Sequence, residues 1–225
     1  MASLLPGPIL LTGLDGPLAR AIARRLAADC PALVVAAPTL AVAQEAAAEA
    51  DAIARARGCA GGAHAVEADP AVAGRAAALL DAARAAVGAP AAIVICKRVD
   101  VASGGDGAPT LVIDSFDHVL AAVAELAPEH RPRAVVLAAR AFPPLDAADA
   151  LAALAAVVDA RAGALGDTAL HVFATVDPHY GAMASAFGLM DRPFGADVEV
   201  ARRRLEKAAD EVHGLLATPG ATVRG

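Results

Sequence analysis

Ile9-Leu10-Leu11-Thr12-Gly13-Leu14-Asp15-Gly16-Pro17-Leu18-Ala19-Arg20-Ala21-Ile22-Ala23 passes from an apolar run, through a glycine-containing turn, into apolar residues at helical spacing. That order predicts strand, tight loop and helix. In a doubly wound sheet such a first turn suits a bound pyrophosphate, because glycines let the backbone approach and the helix N-terminus favours anions.

The pattern repeats along the chain. After a helix over 18–29, Ala32 to Ala37 is a short apolar run ended by Pro38, and Thr39 is placed to cap a helix reaching about Arg57. Gly58 and Gly61-Gly62 precede a third strand, His64 to Ala68, closed by Asp69-Pro70; a helix over 71–87 and a fourth strand, Ala91 to Cys96, follow. Four alternations with continuous apolar strands are the mark of a parallel sheet covered on both faces. The expected fold is α/β: a Rossmann-like doubly wound parallel sheet in three layers, one domain over 1–225. Residues 97–110, with Ser103-Gly104-Gly105-Asp106-Gly107, read as a flexible loop and 218–225 as a loose tail. Between them the pattern predicts a helix over 115–126, strands over 133–138 and 170–176, a long Ala and Leu helix over 146–164, and a charged helix over 198–216.

A formal charge of −6 offers no basic face for nucleic acid or anionic lipid. The hydrophobic fraction of 57% reflects alanine, and each apolar run is broken by a charge, Pro or Gly, so no membrane span is expected. Residues 1–11 lack a basic n-region, and the expected location is cytoplasmic. Cys30, Cys59 and Cys96 have neither disulfide nor zinc spacing and read as small hydrophobes. No metal site is expected.

The order of elements resembles the short-chain dehydrogenase/reductase family across nearly the whole chain. Thr12-Gly13-Leu14-Asp15-Gly16-Pro17-Leu18-Ala19 is similar to the variant glycine turn TGxxGxxA, with Gly13, Gly16 and Ala19 at the motif positions. Asp69 falls where the family often has an Asp near the adenine, and Asp177-Pro178 resembles the family's sixth-strand Pro-Gly. The resemblance then implies residues that the chain lacks. The second strand ends in Ala36-Ala37-Pro38, with neither an acid for ribose hydroxyls nor a base for a 2′-phosphate. Cys96-Lys97-Arg98-Val99 stands where the family has Asn-Asn-Ala-Gly. Leu137-Ala138-Ala139-Arg140 stands where the catalytic Ser is implied, and the implied Tyr-x-x-x-Lys falls near Ala148 and Ala152. Tyr180, the chain's one tyrosine, has Ala184 four residues on, so it does not carry over.

The expectation is therefore a chain with no catalytic residues and a vestigial turn at Gly13, Gly16 and Ala19, with Asp69 as a further remnant, binding no cofactor itself. Lys97-Arg98 reads either as an anion site or as charges reaching solvent from a filled cleft. His179 and Tyr180 read as loop residues; His64, His118, His130 and His213 read as isolated, either solvated or satisfied structurally. Arg202-Arg203-Arg204, interleaved with Glu199, Glu206 and Asp210, reads as an ion-paired exposed face. Leu151, Ala152, Leu154, Ala155, Val158 and Ala162 read as one broad apolar surface, and the helix over 115–126 as another. The expected role is a pseudoenzyme that joins an active NAD-dependent dehydrogenase subunit through helices 115–126 and 146–164 as a heterodimer or heterotetramer, the partner holding NAD. This resembles two-subunit dehydrogenases of aromatic compound degradation. The alternative is an NAD(P)-sensing protein without chemistry.

Overall fold

The computed structural model describes residues 5, 7–14, 16–29, 32–59, 62–103, 109–112, 114–141, 147–176 and 194–217. The expected tail over 218–225 lies outside them.

Strand β1 (Ile9–Thr12) is flanked by β2 (Leu33–Ala37) and β4 (Ala92–Ser103); β3 (Ala63–Glu67) lies beyond β2, and β6 (Ala134–Ala141) and β7 (Ala169–Val176) lie beyond β4. These six strands pair in parallel in the order β3-β2-β1-β4-β6-β7. Helices cover both faces, because strands buried on both sides need apolar cover on each. On one face α1 (Pro17–Ala27), α2 (Leu40–Arg57) and α6 (Phe194–Ala217) close over Ile9, Leu11, Val35, Val94 and Val136. On the other α3 (Arg75–Val87), α4 (Asp114–Glu125) and α5 (Ala147–Leu165) close over Leu10, Val34, Ile93, Val135 and Leu137. This is the expected three-layer Rossmann-like fold.

Helix boundaries follow local chemistry. Pro17 starts α1, where its missing N–H costs nothing. Gly58, at φ 71°, ends α2. Thr39 is the N-cap residue of α2 but its side chain makes no capping bond. Helix α3 starts at Arg75, later than the expected 71, because Asp69 Oδ1 accepts from the Ala71 N–H at 2.9 Å and Gly74 sits at φ 77°. That turn uses the residues which a helix would need.

Two expectations need correction. The segment 97–110 is not simply a loop: β4 continues to Ser103 and pairs antiparallel with β5 (Pro109–Val112) from Asp100 to Ser103. Val99 and Val101 alternate with Arg98 and Asp100, a period-two pattern that suits a strand leaving the buried sheet. The apolar surface expected on α5 also divides. Leu154 is fully buried and Val158 packs half-buried on the same core, while Ala152, Ala155 and Ala162 are exposed. The large residues complete this chain's own core, and small ones face outward.

His213 is one of the histidines satisfied structurally, and it is not isolated. It sits buried between α6 and α1: its Nδ1 lies 3.3 Å from an Arg25 Nη, and its Nε2 lies 3.1 Å from Asp29 Oδ2, though at a poor hydrogen-bond angle. Arg25 itself bridges Asp29 at 2.8 Å and Asp210 of α6 at 2.7 Å. Neutral His213 fits this clasp, with Nδ1 accepting from Arg25. Burial first, and then the Arg25 charge, hold its pKa below the usual histidine value, against the opposing pull of Asp29 and Asp210. A depressed histidine pKa gives stability that is present above the ordinary value near 6.5 and lost as pH falls through the folded-state value. The thermal midpoint is expected to drop between pH 7.5 and pH 5, and His213→Gln to narrow that drop; buried His171, also lowered by desolvation, accounts for part of the remainder. An undiminished drop in His213→Gln rules out the clasp as its source.

Candidate functional site

The strand order reverses between β1 and β4, and the crevice beyond their carboxyl ends is where open α/β sheets place ligands. The glycine turn leaves β1 at this point. Gly13 has φ 82°, and a β-carbon there would overlap the carbonyl oxygen of Cys96, so the first motif glycine is demanded by contact with the end of β4. Leu14, 2% exposed, anchors the turn in the core under α1. Ala19 is buried in the same cluster, where a small residue lets the helix lie close to the sheet. Asp15 lies outside the described residues.

Gly16 meets a different neighbour. It is the N-cap residue of α1 at φ −158° and ψ 173°, an extended conformation open to any residue. A β-carbon at Gly16 would instead overlap the Arg140 guanidinium, at Cζ and at both terminal nitrogens. Arg140 is 6% exposed and is not a free group. It lies on β6 with Arg98 of β4 and Thr175 of β7 as its register neighbours. The position where the resemblance implies a catalytic hydroxyl therefore supplies a cation, and that cation rests on the glycine turn.

The remaining sequence-predicted positions spread out. Ala36 and Ala37 end β2 buried, with exposed Pro38 after them, so the strand offers no polar side chain to a ribose. Asp69 follows β3 and is turned onto the Ala71 amide. Lys97 is half-buried beside Ala139, on the sheet face opposite to that of Arg140 by strand alternation. His171 pairs in register with Val136, in the first half of β7 and away from the carboxyl edge; its Nε2 is buried with no hydrogen-bond partner. Asp177, Pro178, His179 and Tyr180 lie outside the described residues. His118 is held by the Pro70 carbonyl at 3.0 Å. Cys96 is buried; Cys59 is half-buried with its thiol 2.9 Å from the Ala28 carbonyl; Cys30 lies outside the described residues. Among the described residues no group of His, Cys, Asp and Glu could hold a metal, and no helix is long and apolar enough to cross a membrane.

The reach of Arg140 was open to sequence reasoning through strand parity. Ala134, Val136 and Ala138 belong to the core under α1, so Arg140 continues that face toward the turn. The clasp of Arg25, Asp29 and His213 had no such local signal, because the histidine stands 188 residues beyond Arg25. Gly13→Ala is expected to destabilise the chain by about 2–4 kcal/mol through positive φ and overlap with the Cys96 carbonyl. Chemical denaturation measures it, and a loss under about 0.5 kcal/mol contradicts the contact.

Neither a protein-family model nor a curated protein matches the sequence. Solved structures do match the fold. A variant of an actinorhodin polyketide ketoreductase, crystallised with NADPH, aligns over 98% of this chain and 94% of its own, at 16% identity and a TM-score of 0.63. A short-chain type dehydrogenase/reductase from Mycobacterium ulcerans aligns over 98% and 87%, at 14% identity and a TM-score of 0.65. An NAD+-bound xylitol dehydrogenase aligns over 94% and 92%, at 16% identity and a TM-score of 0.60. In fold, this chain is similar to the short-chain dehydrogenases/reductases.

Proposed function

We propose that the chain is a non-catalytic subunit with the short-chain dehydrogenase fold, which assembles with and stabilises an active NAD-dependent dehydrogenase acting on a secondary alcohol or hydroxyacyl-CoA. The observation that carries this reading is the composition of α5. Proton transfer to a carbonyl needs a titrating group within hydrogen-bond reach, and α5 contains neither Tyr nor Lys from Ala147 to Leu165. Arg140 at the end of β6 removes the accompanying hydroxyl.

The outer surface of α5 supports assembly. Ala152, Ala155, Ala156, Ala160 and Ala162 are exposed, small enough to let another helix approach. Beside them Arg161 grips Asp117 of α4 in a two-pronged pair at 2.9 and 2.8 Å, fixing the two helices relative to each other. In this reading the partner holds NAD and the catalytic residues, and the pair works in the cytoplasm. The arrangement resembles the paired subunits of the dehydrogenase acting on 2-[hydroxy(phenyl)methyl]succinyl-CoA.

A second reading, an NAD(P)-sensing protein without chemistry, draws on the position of the glycine turn at the sheet's switch point. A tagged chain purified from its own host is expected to bring down a dehydrogenase with an intact glycine turn and Tyr-x-x-x-Lys, and to oxidise no alcohol with NAD alone. A stable lone monomer with no such companion defeats the subunit reading. Saturable micromolar binding of NADH or NADPH by the isolated chain favours the sensor.

A further inference from the structure

From the contact between Gly16 and Arg140 we infer that Arg140 is the resident occupant of the glycine turn, an internal plug lying where a phosphate-bearing ligand would bind. The inference stands on this chain alone and does not depend on a partner subunit.

Arg140 lies on β6, separated from β1 by β4. Two strand spacings amount to about 10 Å, so its side chain must extend across the end of β4 to reach the turn. On that face Ala138 of its own strand and Cys96 of β4 are small, and Arg98 is its register neighbour on β4. The guanidinium ends against Gly16, the residue that opens α1, and is withdrawn almost wholly from water.

The electrostatics of that place run against a cation. A helix N-terminus carries partial positive charge and unpaired N–H groups, which attract phosphate and disfavour a guanidinium. Pro17 has already removed one of those N–H groups. Arg140 nonetheless rests there, its planar fork against a glycine and its polar groups not left without a partner. A phosphate brought to the first turn of α1 would have to displace it. Gly16 thus serves Arg140 in the way a motif glycine ordinarily serves a ligand: it lets a planar polar group lie directly on the backbone.

A mutant cycle tests this. Gly16→Ala is expected to lower the thermal midpoint by roughly 2–4 °C in the natural chain, where the fork must shift, and by less than about 1 °C when Arg140→Met has removed the fork while keeping the stem. Equal losses in both backgrounds overturn the plug. Should Arg140→Met not fold, Arg140→Lys serves in the same cycle, since its compact head also lacks the fork. Titration with inorganic pyrophosphate and with NADH adds a ligand arm. No saturable binding is expected for the natural chain, and weak binding of pyrophosphate is expected once Arg140 is replaced. Binding by the natural chain that the replacement abolishes overturns the proposal and makes Arg140 an anion ligand. Isolated-chain turnover, which tests the subunit reading, is a separate measurement, so either idea can fail without the other.

Discussion

The Cys96 carbonyl presses against the Cα of Gly13, and the course of the chain follows from that closeness. Strand β1 is bonded on both sides and has no exposed residue, so the chain has to leave it through a space wide enough for backbone alone. A left-handed glycine makes the exit and directs the chain into α1. Once α1 starts there, Leu18, Ile22 and Leu26 fall on the sheet, each contributing about 1.5–3 kcal/mol by burial. Helix α6 then packs on the same cluster through Leu205, Val212 and Leu216. A single backbone contact thereby sets the path of the helix on which one whole layer is assembled.

Charge plays a lesser part in holding that layer. Arg20 and Arg24 of α1 reach Glu45 and Glu49 of α2 at 2.9 and 2.6 Å, both in water, where such pairs are worth at most about 1 kcal/mol. Glu199, its pKa drawn down to about 2 by hydrogen bonds from Arg202 and Arg203, is partly exposed and orders only its own helix face. Arg202 also pairs with Glu206. The groups around buried His213, with Arg25 and Asp29 half-buried, are different. Arg25, Asp29 and His213 restrict how α6 lies on α1, because a buried ionisable group left without its partners is costly. Arg140 does the same for the turn at the far end of α1.

Most of the fold could be read from the chain because its strands are continuous apolar runs set off by Gly and Pro. Where that contrast fades, the reading fails in ways that have physical causes. Charges at Lys97 and Arg98, followed by five loop-forming residues, hid a strand whose valines alternate for only a few positions. In α5 nearly every residue is alanine or another apolar type, so the sequence could not show that Leu154 turns inward while Ala155 faces out. The site was legible as a turn but not as an environment. Parity could have brought Arg140 to the face of α1, but only the packed structure sets its guanidinium on Gly16.

That distinction bears on what a glycine motif means. Each of its three positions here has a cause within the chain. Gly13 yields to a carbonyl, Gly16 to a guanidinium, and Ala19 to the approach of α1 to the sheet. Replacing Gly13 or Ala19 would disturb packing before it disturbed a ligand, whereas a side chain at Gly16 would meet the movable end of Arg140. A sequence can therefore retain the motif under demands of folding alone, and the motif's presence specifies the turn without specifying a nucleotide. The position that would specify one lies elsewhere, at the end of β2, where Ala37 and Pro38 bring nothing polar. Function in a sheet of this kind is carried by the side chains at its carboxyl edge, and at that edge the group this chain has buried against the turn is its own arginine.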